Sequence, residues 1–157
     1  MLRNLGSLHI YKYLLIWDFM GNKEKGSNAE RELLKMFAGN SWRAVRVAGS
    51  GIGDESPCDL IAGKGNQKFA IECKTSKEKK RYLNKEQIND FLVFAEIFGL
   101  EPLIAIRFNR EGWFFLNPKD VKIEDTGKLL AISLEDARAR GKRFGEIFMD
   151  DELGDLM

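Results

Sequence analysis

The chain has 157 residues, 44% apolar and 31% charged, which allows one sizeable hydrophobic core but is short for two domains. Its two cysteines and single histidine are too few for a disulfide scaffold, a thiolate zinc site or histidine-based catalysis. The formal net charge is +1, but the first twenty residues carry +1 and the last eight carry −4, so residues 21–149 carry +4. This charge distribution suits a nucleic-acid partner, and we expect one cytoplasmic globular domain.

The N-terminal segment, residues 1–20, differs in composition from the rest of the chain. Residues 8–20 are apolar enough to suggest a signal sequence or a membrane anchor, but Lys12 and Asp18 interrupt them. No small-residue cleavage site comes after them, and the run is too short to cross a membrane. We favour the alternative that translation begins at Met20 and that the preceding residues are a start-site artefact. The expected organisation is an N-terminal extension over residues 1–20, a main domain over 21–149 and an acidic tail over 150–157.

A first helix is predicted just after this segment. Ser27 is followed three residues later by Glu30, as in a capping box, and apolar residues then recur with helical spacing to Phe37. The stretch from Trp42 to Ala48 alternates between polar and apolar residues, which predicts a strand. A glycine-rich loop comes after this strand.

A β-hairpin and a second helix come next. Asp59–Ala62 and Lys68–Thr75 predict two strands joined by a turn over residues 63–66. Asn84 with Gln87 resembles a helix start, and Gly99 is expected to end this helix. The apolar stripe of the helix comprises Ile88, Phe91, Leu92, Ala95 and Phe98.

The remaining pattern completes an α/β fold. Pro102–Phe108 and Trp113–Leu116 predict a second hairpin, and Ser133 with Asp136 predicts the start of a short basic helix that runs to Arg143. The order of helix, three strands, helix and two strands indicates a central mixed β-sheet flanked by helices.

One group of residues on the first hairpin carries chemistry. Glu72 and Lys74 are two apart on a predicted strand and so point to the same face, and Asp59 opens the neighbouring strand. Two carboxylates suit Mg²⁺, which binds hard oxygen ligands and the phosphate of a substrate. Lys74 would orient or deprotonate a water, or stabilise charge on the phosphoryl oxygens. The alternative is a solvated ion pair, because acid-x-lysine triplets are common by chance.

Glu30 has two interpretations that helical periodicity does not separate. As part of a capping box, its carboxylate only satisfies a backbone donor of the first helix. A glutamate in the first turn of a helix can also face a metal ion, as a direct or an outer ligand.

The chain from about Gly26 to Trp113 resembles the archaeal Holliday junction resolvases of the Hjc type. These lie within the restriction-endonuclease-like PD-(D/E)xK nucleases, whose signature is an aspartate followed by glutamate-x-lysine. The segments that carry the resemblance, in matching order and spacing, are Gly26–Leu34, Val45–Ser50, Asp59–Gly63, Ile71–Lys74, Phe91–Gly99 and Pro102–Phe108. Residues 21–149 would then form the nuclease domain.

The resemblance implies a restriction-endonuclease-like fold and a homodimer that binds a four-way DNA junction and nicks two opposing strands. It implies Mg²⁺, or Mn²⁺ in its place, bound by Glu30, Asp59 and Glu72, with Lys74 and Ser50 completing the catalytic set. Ser50 matches a serine in the family's mobile loop, although the alternative is a turn residue beside glycine. Because the loop is longer here than in the shortest family members, Ser56 competes with Ser50 for this role.

Further residues are implied to contact DNA or a second copy of the chain. Arg31 and Arg46 match arginines that face DNA in the family, and the alternative for each is a surface ion pair. Phe94 and Phe98 match the family's dimer contact, and the alternative is core packing. A basic run comes directly after the catalytic strand and is expected to contact phosphates rather than only solvent: Lys77, Lys79, Lys80, Arg81 and Lys85.

Beyond Trp113 the resemblance fades. The Glu146–Met149 segment and the acidic tail are considered as a docking site for a partner such as a sliding clamp, although no standard clamp motif is present. The predicted activity is a Holliday junction endonuclease. The alternatives are another nuclease of the same fold, in restriction or repair, and a non-catalytic DNA-binding module.

Overall fold

The computed structural model describes residues 28–48, 57–119 and 123–150, and every structural statement below concerns these ranges. The first helix, α1, is helical over residues 28–39. The other elements, in chain order, are β1 (Arg43–Arg46), β2 (Leu60–Lys64), β3 (Gln67–Ser76), β4 (Lys80–Asn84), α2 (Lys85–Phe98), β5 (Glu101–Phe108), β6 (Gly112–Leu116), β7 (Glu124–Asp125), β8 (Leu129–Ser133), α3 (Leu134–Arg140) and α4 (Phe144–Phe148).

The main sheet has five strands in the order β1-β2-β3-β5-β6. Only β3 and β5 are parallel, and the chain between them makes the crossover that a parallel pair requires, through β4 and α2. A smaller sheet has the order β4-β8-β7. In this order β3, which is also the longest strand, is the middle strand of the main sheet.

Both faces of the main sheet are covered. Alternate residues of the central strands enter two cores, because successive side chains of a strand point to opposite faces. Ala70 and Ile104 belong to the core that includes Phe91 of α2. Their neighbours Ile71 and Ala105 belong to the other core, beneath α1 and α4. The predicted mixed sheet flanked by helices is therefore confirmed.

An aromatic cluster closes the second core. The ring of Phe148 in α4 lies 4.7 Å from that of Phe37, 5.1 Å from that of Trp42 and 5.2 Å from that of Phe115, measured between centroids. The indole Nε1 of Trp42 donates a hydrogen bond of 2.7 Å to the backbone oxygen of Phe148. The C-terminal helix is thus an integral part of the core, although the sequence resemblance fades before it.

Three predicted features of the chain agree closely with the structure. The first hairpin is present as β2 and β3, and the second as β5 and β6. Helix α2 begins after Asn84, whose side chain accepts from the N–H of Gln87, and ends at Gly99. Gly99 has a φ of 73°, a left-handed conformation that glycine adopts without strain.

Other features differ from the prediction. The last predicted helix was expected to reach Arg143, but α3 ends at Arg140. The reason is that Lys142 exchanges two backbone hydrogen bonds with Phe115, which draws the chain out of the helix before α4 begins. The sequence pattern also missed β4, β7 and β8. Two of these strands contain consecutive charged residues, such as Lys80 and Arg81, which hide the alternation that marks a strand.

Candidate active site

The second half of β3 carries polar residues into an otherwise apolar layer. Glu72 and Lys74 point to the same face as Ala70, and they lie beside Ile104 and Ile106 of β5. The Nζ atom of Lys74 is 3.0 Å from Oε1 of Glu72, and the two side chains are 15% and 5% exposed. Such a buried ion pair is unlike the solvated surface pair that was the alternative at the sequence level.

Asp59 is held beside this pair by the backbone. It immediately precedes β2, and its N–H donates to the carbonyl of Ile71 while its own carbonyl accepts from the N–H of Val47. Its side chain accepts a hydrogen bond of 2.7 Å at Oδ2 from the N–H of Cys73. The residue between Glu72 and Lys74 therefore fixes the Asp59 carboxylate against β3.

Burial makes ionisation of both carboxyl groups unfavourable. Removal from water, together with the negative charge of Asp59, raises the pKa of Glu72 from 4.5 to about 7, and Lys74 opposes the rise. Burial also raises the pKa of Asp59, against the hydrogen bond from Cys73 and the charges of Lys74 and Arg46. Two desolvated carboxylates thus share one adjacent ammonium, an arrangement that a divalent cation would stabilise.

The donor set fits Mg²⁺. Within the described ranges, no group of three or more histidine, cysteine, aspartate or glutamate residues is close enough to hold a metal ion. Mg²⁺ needs only one or two carboxylates, since waters and substrate phosphates fill its other positions. Asp59 and Glu72 are hard oxygen donors of this kind, so they are the residues that would hold the ion.

Glu30 lies at the edge of this group. It is in the first turn of α1, and its Oε2 atom is 2.8 Å from Nε of Arg46. Its charge contributes to the raised pKa of Glu72, as the smallest of the causes. The cap predicted for it involves Ser27, which lies outside the described residues. Glu30 is therefore close enough to influence Glu72 but is paired with an arginine.

An open cleft of about 1090 Å³ runs along the end of the sheet beside Lys74, the ion-pair partner of Glu72. Its lining includes Glu30, Cys73 and Lys74 and is rich in basic residues. The lining residues that bear a positive charge are Lys74, Lys77, Lys80, Arg81, Arg107 and Arg110. A phosphate backbone bound in this cleft would contact Lys74, which is itself paired with Glu72.

The predicted DNA-contacting residues differ in their surroundings. Arg31 is exposed on α1, and Arg46 is exposed on β1 but paired with Glu30. Of the basic run, Lys80 and Lys85 form ion pairs with acidic residues of β7. Lys77, Lys79 and Arg81 are exposed.

Three site residues were missed at the sequence level. Arg107 and Arg110 line the cleft because β5 runs parallel to β3, so the end of β5 lies beside Lys74. The available signals were the charged Arg107 within the predicted strand Pro102–Phe108 and the polar residues of the turn that comes after it. Gln87, which was noted only as part of a helix start, contacts both Glu72 and Lys74.

The two predicted dimer residues lie on the outer side of α2. The rings of Phe94 and Phe98 are 5.2 Å apart, and Phe94 packs in part against the core while Phe98 is 63% exposed. Val93 and Ile97 on the same helix are also exposed. The predicted loop residues Ser50 and Ser56 lie outside the described residues.

Among the described residues, no helix has the length and apolar character needed to cross a membrane.

Comparison with known proteins gives a consistent family. The family model described as archaeal Holliday junction resolvase (Hjc) matches residues 21–145. The chain is 39% identical to the crossover junction endodeoxyribonuclease Hjc of Methanocaldococcus jannaschii, over 76% of this chain and 90% of that protein. It is 33% identical to the crossover junction endodeoxyribonuclease Hje of Saccharolobus solfataricus, over 73% and 96% respectively.

The fold comparison agrees. The structure is similar to the 1.6 Å structure of Archaeoglobus fulgidus Hjc, a Holliday junction resolvase, with a TM-score of 0.67 and 31% identity. The match covers 78% of this chain and 94% of that one, so the restriction-endonuclease-like fold expected from the sequence is confirmed. The chain belongs to the archaeal Holliday junction resolvase family, Hjc.

Proposed function

We propose that this chain is a structure-selective endodeoxyribonuclease that resolves four-way DNA junctions by Mg²⁺-dependent nicking of two opposing strands. The observation that carries the proposal is the buried Glu72 carboxylate and the partly buried Asp59 carboxylate beside Lys74, which lines a basic cleft. Family membership supplies the substrate class, because the relatives are named crossover junction endodeoxyribonucleases.

Each residue of the buried group has a distinct role in this proposal. Asp59 and Glu72 hold the metal ion, both in their ionised forms, and Cys73 keeps Asp59 in place through its N–H. When bound, Mg²⁺ supplies Lewis-acid polarisation of the phosphate and lowers the pKa of a coordinated water. Lys74 places its ammonium where it stabilises negative charge that develops on the phosphoryl oxygens. Mn²⁺ is expected to replace Mg²⁺, since it also accepts oxygen ligands.

The roles of Glu30 and Arg46 are linked in this proposal. Glu30 is assigned as the third metal-binding carboxylate, yet its Oε2 atom is paired with Arg46. A DNA phosphate bound to Arg46 would compete for that guanidinium and release Glu30 toward the metal. Ser50 is proposed as the loop serine that approaches the scissile phosphate, with Ser56 as the alternative.

The DNA surface extends from the cleft over exposed basic residues. Contacts to phosphates position the substrate without reading bases, which suits recognition of junction shape. We assign Arg31, Arg46, Lys77, Lys79 and Arg81 to this surface, with Lys80 available once its ion pair with Glu124 opens. Because the substrate is cellular DNA, we also propose a cytoplasmic location.

A homodimer would bury the exposed apolar side of α2. Phe98, Val93 and Ile97 are each more than half exposed, and a contiguous apolar patch of this kind marks an interaction surface. A second copy at this patch, centred on Phe94 and Phe98, would present two active sites to one junction. Phe148 is buried and so is not available to a partner, whereas Met149 is exposed. A sliding clamp would therefore contact Met149 and the acidic tail.

The activity is tested with a synthetic four-way junction whose strands are labelled in turn, and with a linear duplex of the same sequence. With Mg²⁺ we expect symmetric nicks in two opposing strands of the junction and little cutting of the duplex. Asp59→Ala and Glu72→Ala should abolish cleavage but retain junction binding, whereas Glu101→Ala, at an exposed residue, should cleave normally.

Two outcomes would overturn the proposal. Equal cutting of junction and duplex would indicate another nuclease of the same fold. Tight junction binding without cleavage in Mg²⁺ or Mn²⁺ would indicate a non-catalytic DNA-binding module.

A further inference from the structure

Lys74 has two acceptors in the structure. Its Nζ atom is 3.0 Å from Oε1 of Glu72 and 3.3 Å from Oε1 of Gln87. The amide nitrogen of Gln87 donates in turn to the same Oε1 of Glu72, at 3.3 Å. One amide group therefore contacts both members of the ion pair, with its oxygen on the ammonium and its nitrogen on the carboxylate.

The backbone of Gln87 is fixed by the start of α2. The N–H of Gln87 donates a hydrogen bond of 3.0 Å to the side chain of Asn84, the N-cap residue. Ile88, the next residue, is buried in the core beneath the helix. Gln87 thus projects from a capped, packed helix turn onto β3.

A competition exists within the proposed site. As long as Lys74 donates to Glu72, the ammonium occupies the carboxylate that is needed for the metal ion. A neutral side chain that accepts from Lys74 provides the ammonium with a second partner when the carboxylate binds the cation. An amide suits this role because its oxygen attracts the ammonium but adds no charge beside the carboxylates.

We propose that Gln87 is a positioning residue for DNA cleavage. It keeps the Lys74 ammonium in the cleft and restrains the Glu72 carboxylate. When Glu72 binds the metal ion instead of Lys74, the ammonium still has Gln87 as a hydrogen-bond partner. Partners of this outer kind typically contribute about 10-fold to 100-fold to metal affinity or activity. This inference rests on the roles proposed above for Glu72 and Lys74.

The test is Gln87→Met, which keeps the length and helix propensity of the side chain but removes both hydrogen bonds. Gln67→Met, the same change at an exposed residue at the other end of β3, is the matched control. Single-turnover cleavage of a four-way junction is measured over a range of Mg²⁺ concentrations. In parallel, junction binding is measured in Ca²⁺, and urea unfolding without metal reports stability.

We expect Gln87→Met to lower the maximal cleavage rate by about 10-fold to 100-fold and to raise the Mg²⁺ concentration for half-maximal rate. Junction affinity and the unfolding midpoint should change little. A second readout is the stabilisation of the DNA-free protein by Mg²⁺, which should weaken in Gln87→Met. In the Lys74→Met background, Gln87→Met should reduce the stabilisation by Mg²⁺ much less. The reason is that Gln87 acts through its contact with Lys74, which this background lacks.

Unchanged rate and Mg²⁺ dependence in Gln87→Met would overturn the inference. A loss of rate that accompanies a parallel loss of stability or junction binding would also overturn it, since that result indicates a structural role only. Glu72→Gln and Lys74→Met, assayed beside it, distinguish failure of the proposed active site from failure of the role of Gln87. If those variants cleave normally, the proposed site itself is wrong, and if only Gln87→Met cleaves normally, this inference alone fails.

Discussion

Ionisation of Glu72 should oppose folding of the metal-free protein. The pKa of this residue is about 7 in the folded chain, against an ordinary value of 4.5. A carboxyl group whose pKa is raised on folding stabilises the protein fully below pH 4.5, and that stabilisation is lost as the pH rises through about 7. The difference between the two pKa values corresponds to about 3 kcal/mol in the free energy of unfolding. The side chain is only 5% exposed, so solvent screening reduces this figure little.

Glu72→Gln tests this reasoning because glutamine has the shape of the protonated acid and does not ionise. Urea unfolding of the variant and the parent protein is compared in EDTA at pH 5 and at pH 8. We expect the stability of the variant relative to the parent to improve by up to about 3 kcal/mol between pH 5 and pH 8. Because the variant is compared with the parent at each pH, the contribution of every other group that titrates in both proteins cancels.

The control for this experiment is Glu101→Gln, at an exposed glutamate at the start of β5. Its stability relative to the parent should be nearly the same at the two pH values. Mg²⁺ at pH 8 should stabilise the parent protein more than Glu72→Gln, since the cation binds the ionised carboxylate. A stability difference for Glu72→Gln that is independent of pH would refute the claim that burial disfavours the charged carboxylate.

Three other variants test the site, the core and the interface. Lys74→Met should reduce junction cleavage at least about 100-fold, while its affinity in a gel-shift assay stays within a few fold. Phe148→Ala should lower the free energy of unfolding by about 3–5 kcal/mol in urea, whereas Met149→Ala, at an exposed neighbour, should have almost no effect. Phe98→Glu should convert a dimer to a monomer in light scattering, and Leu129→Glu, at an exposed residue of β8, should not. Retention of the dimer by Phe98→Glu would place the interface elsewhere.

The central part of the site could be predicted from the sequence because it depends on local geometry. Glu72 and Lys74 share a face through the two-residue period of a strand, and a tight hairpin brings the preceding strand alongside. The position of Asp59 is then decided by the register of β2 on β3, which the hairpin turn sets. No long-range information was needed for these three residues.

The residues that were missed depend on contacts between distant segments. Gln87 reaches the site only because α2 packs across the face of β3. Arg107 reaches it only because β5 runs parallel to β3 in a particular register. The strands β4 and β8 pair with one another although α2 and three other strands lie between them in the chain, and neither has an alternating pattern strong enough to be recognised alone. Phe148 was considered as part of a docking segment because a short apolar run gives no sign of which surface it covers.

The position of Glu72 within the fold explains how the chain keeps its carboxylate close to that of Asp59. Ala70 and Ile71, earlier on β3, are fully buried on opposite faces, and apolar residues at positions 72 and 74 would have extended one of these cores. The chain instead places an acid and a base there, which lowers stability in the absence of metal. The two cores on either side hold the strand rigidly, so the carboxylates stay close together even though they repel one another. A metal ion that joins Asp59 and Glu72 would remove that repulsion, and binding would therefore stabilise the fold as well as prepare the site for DNA.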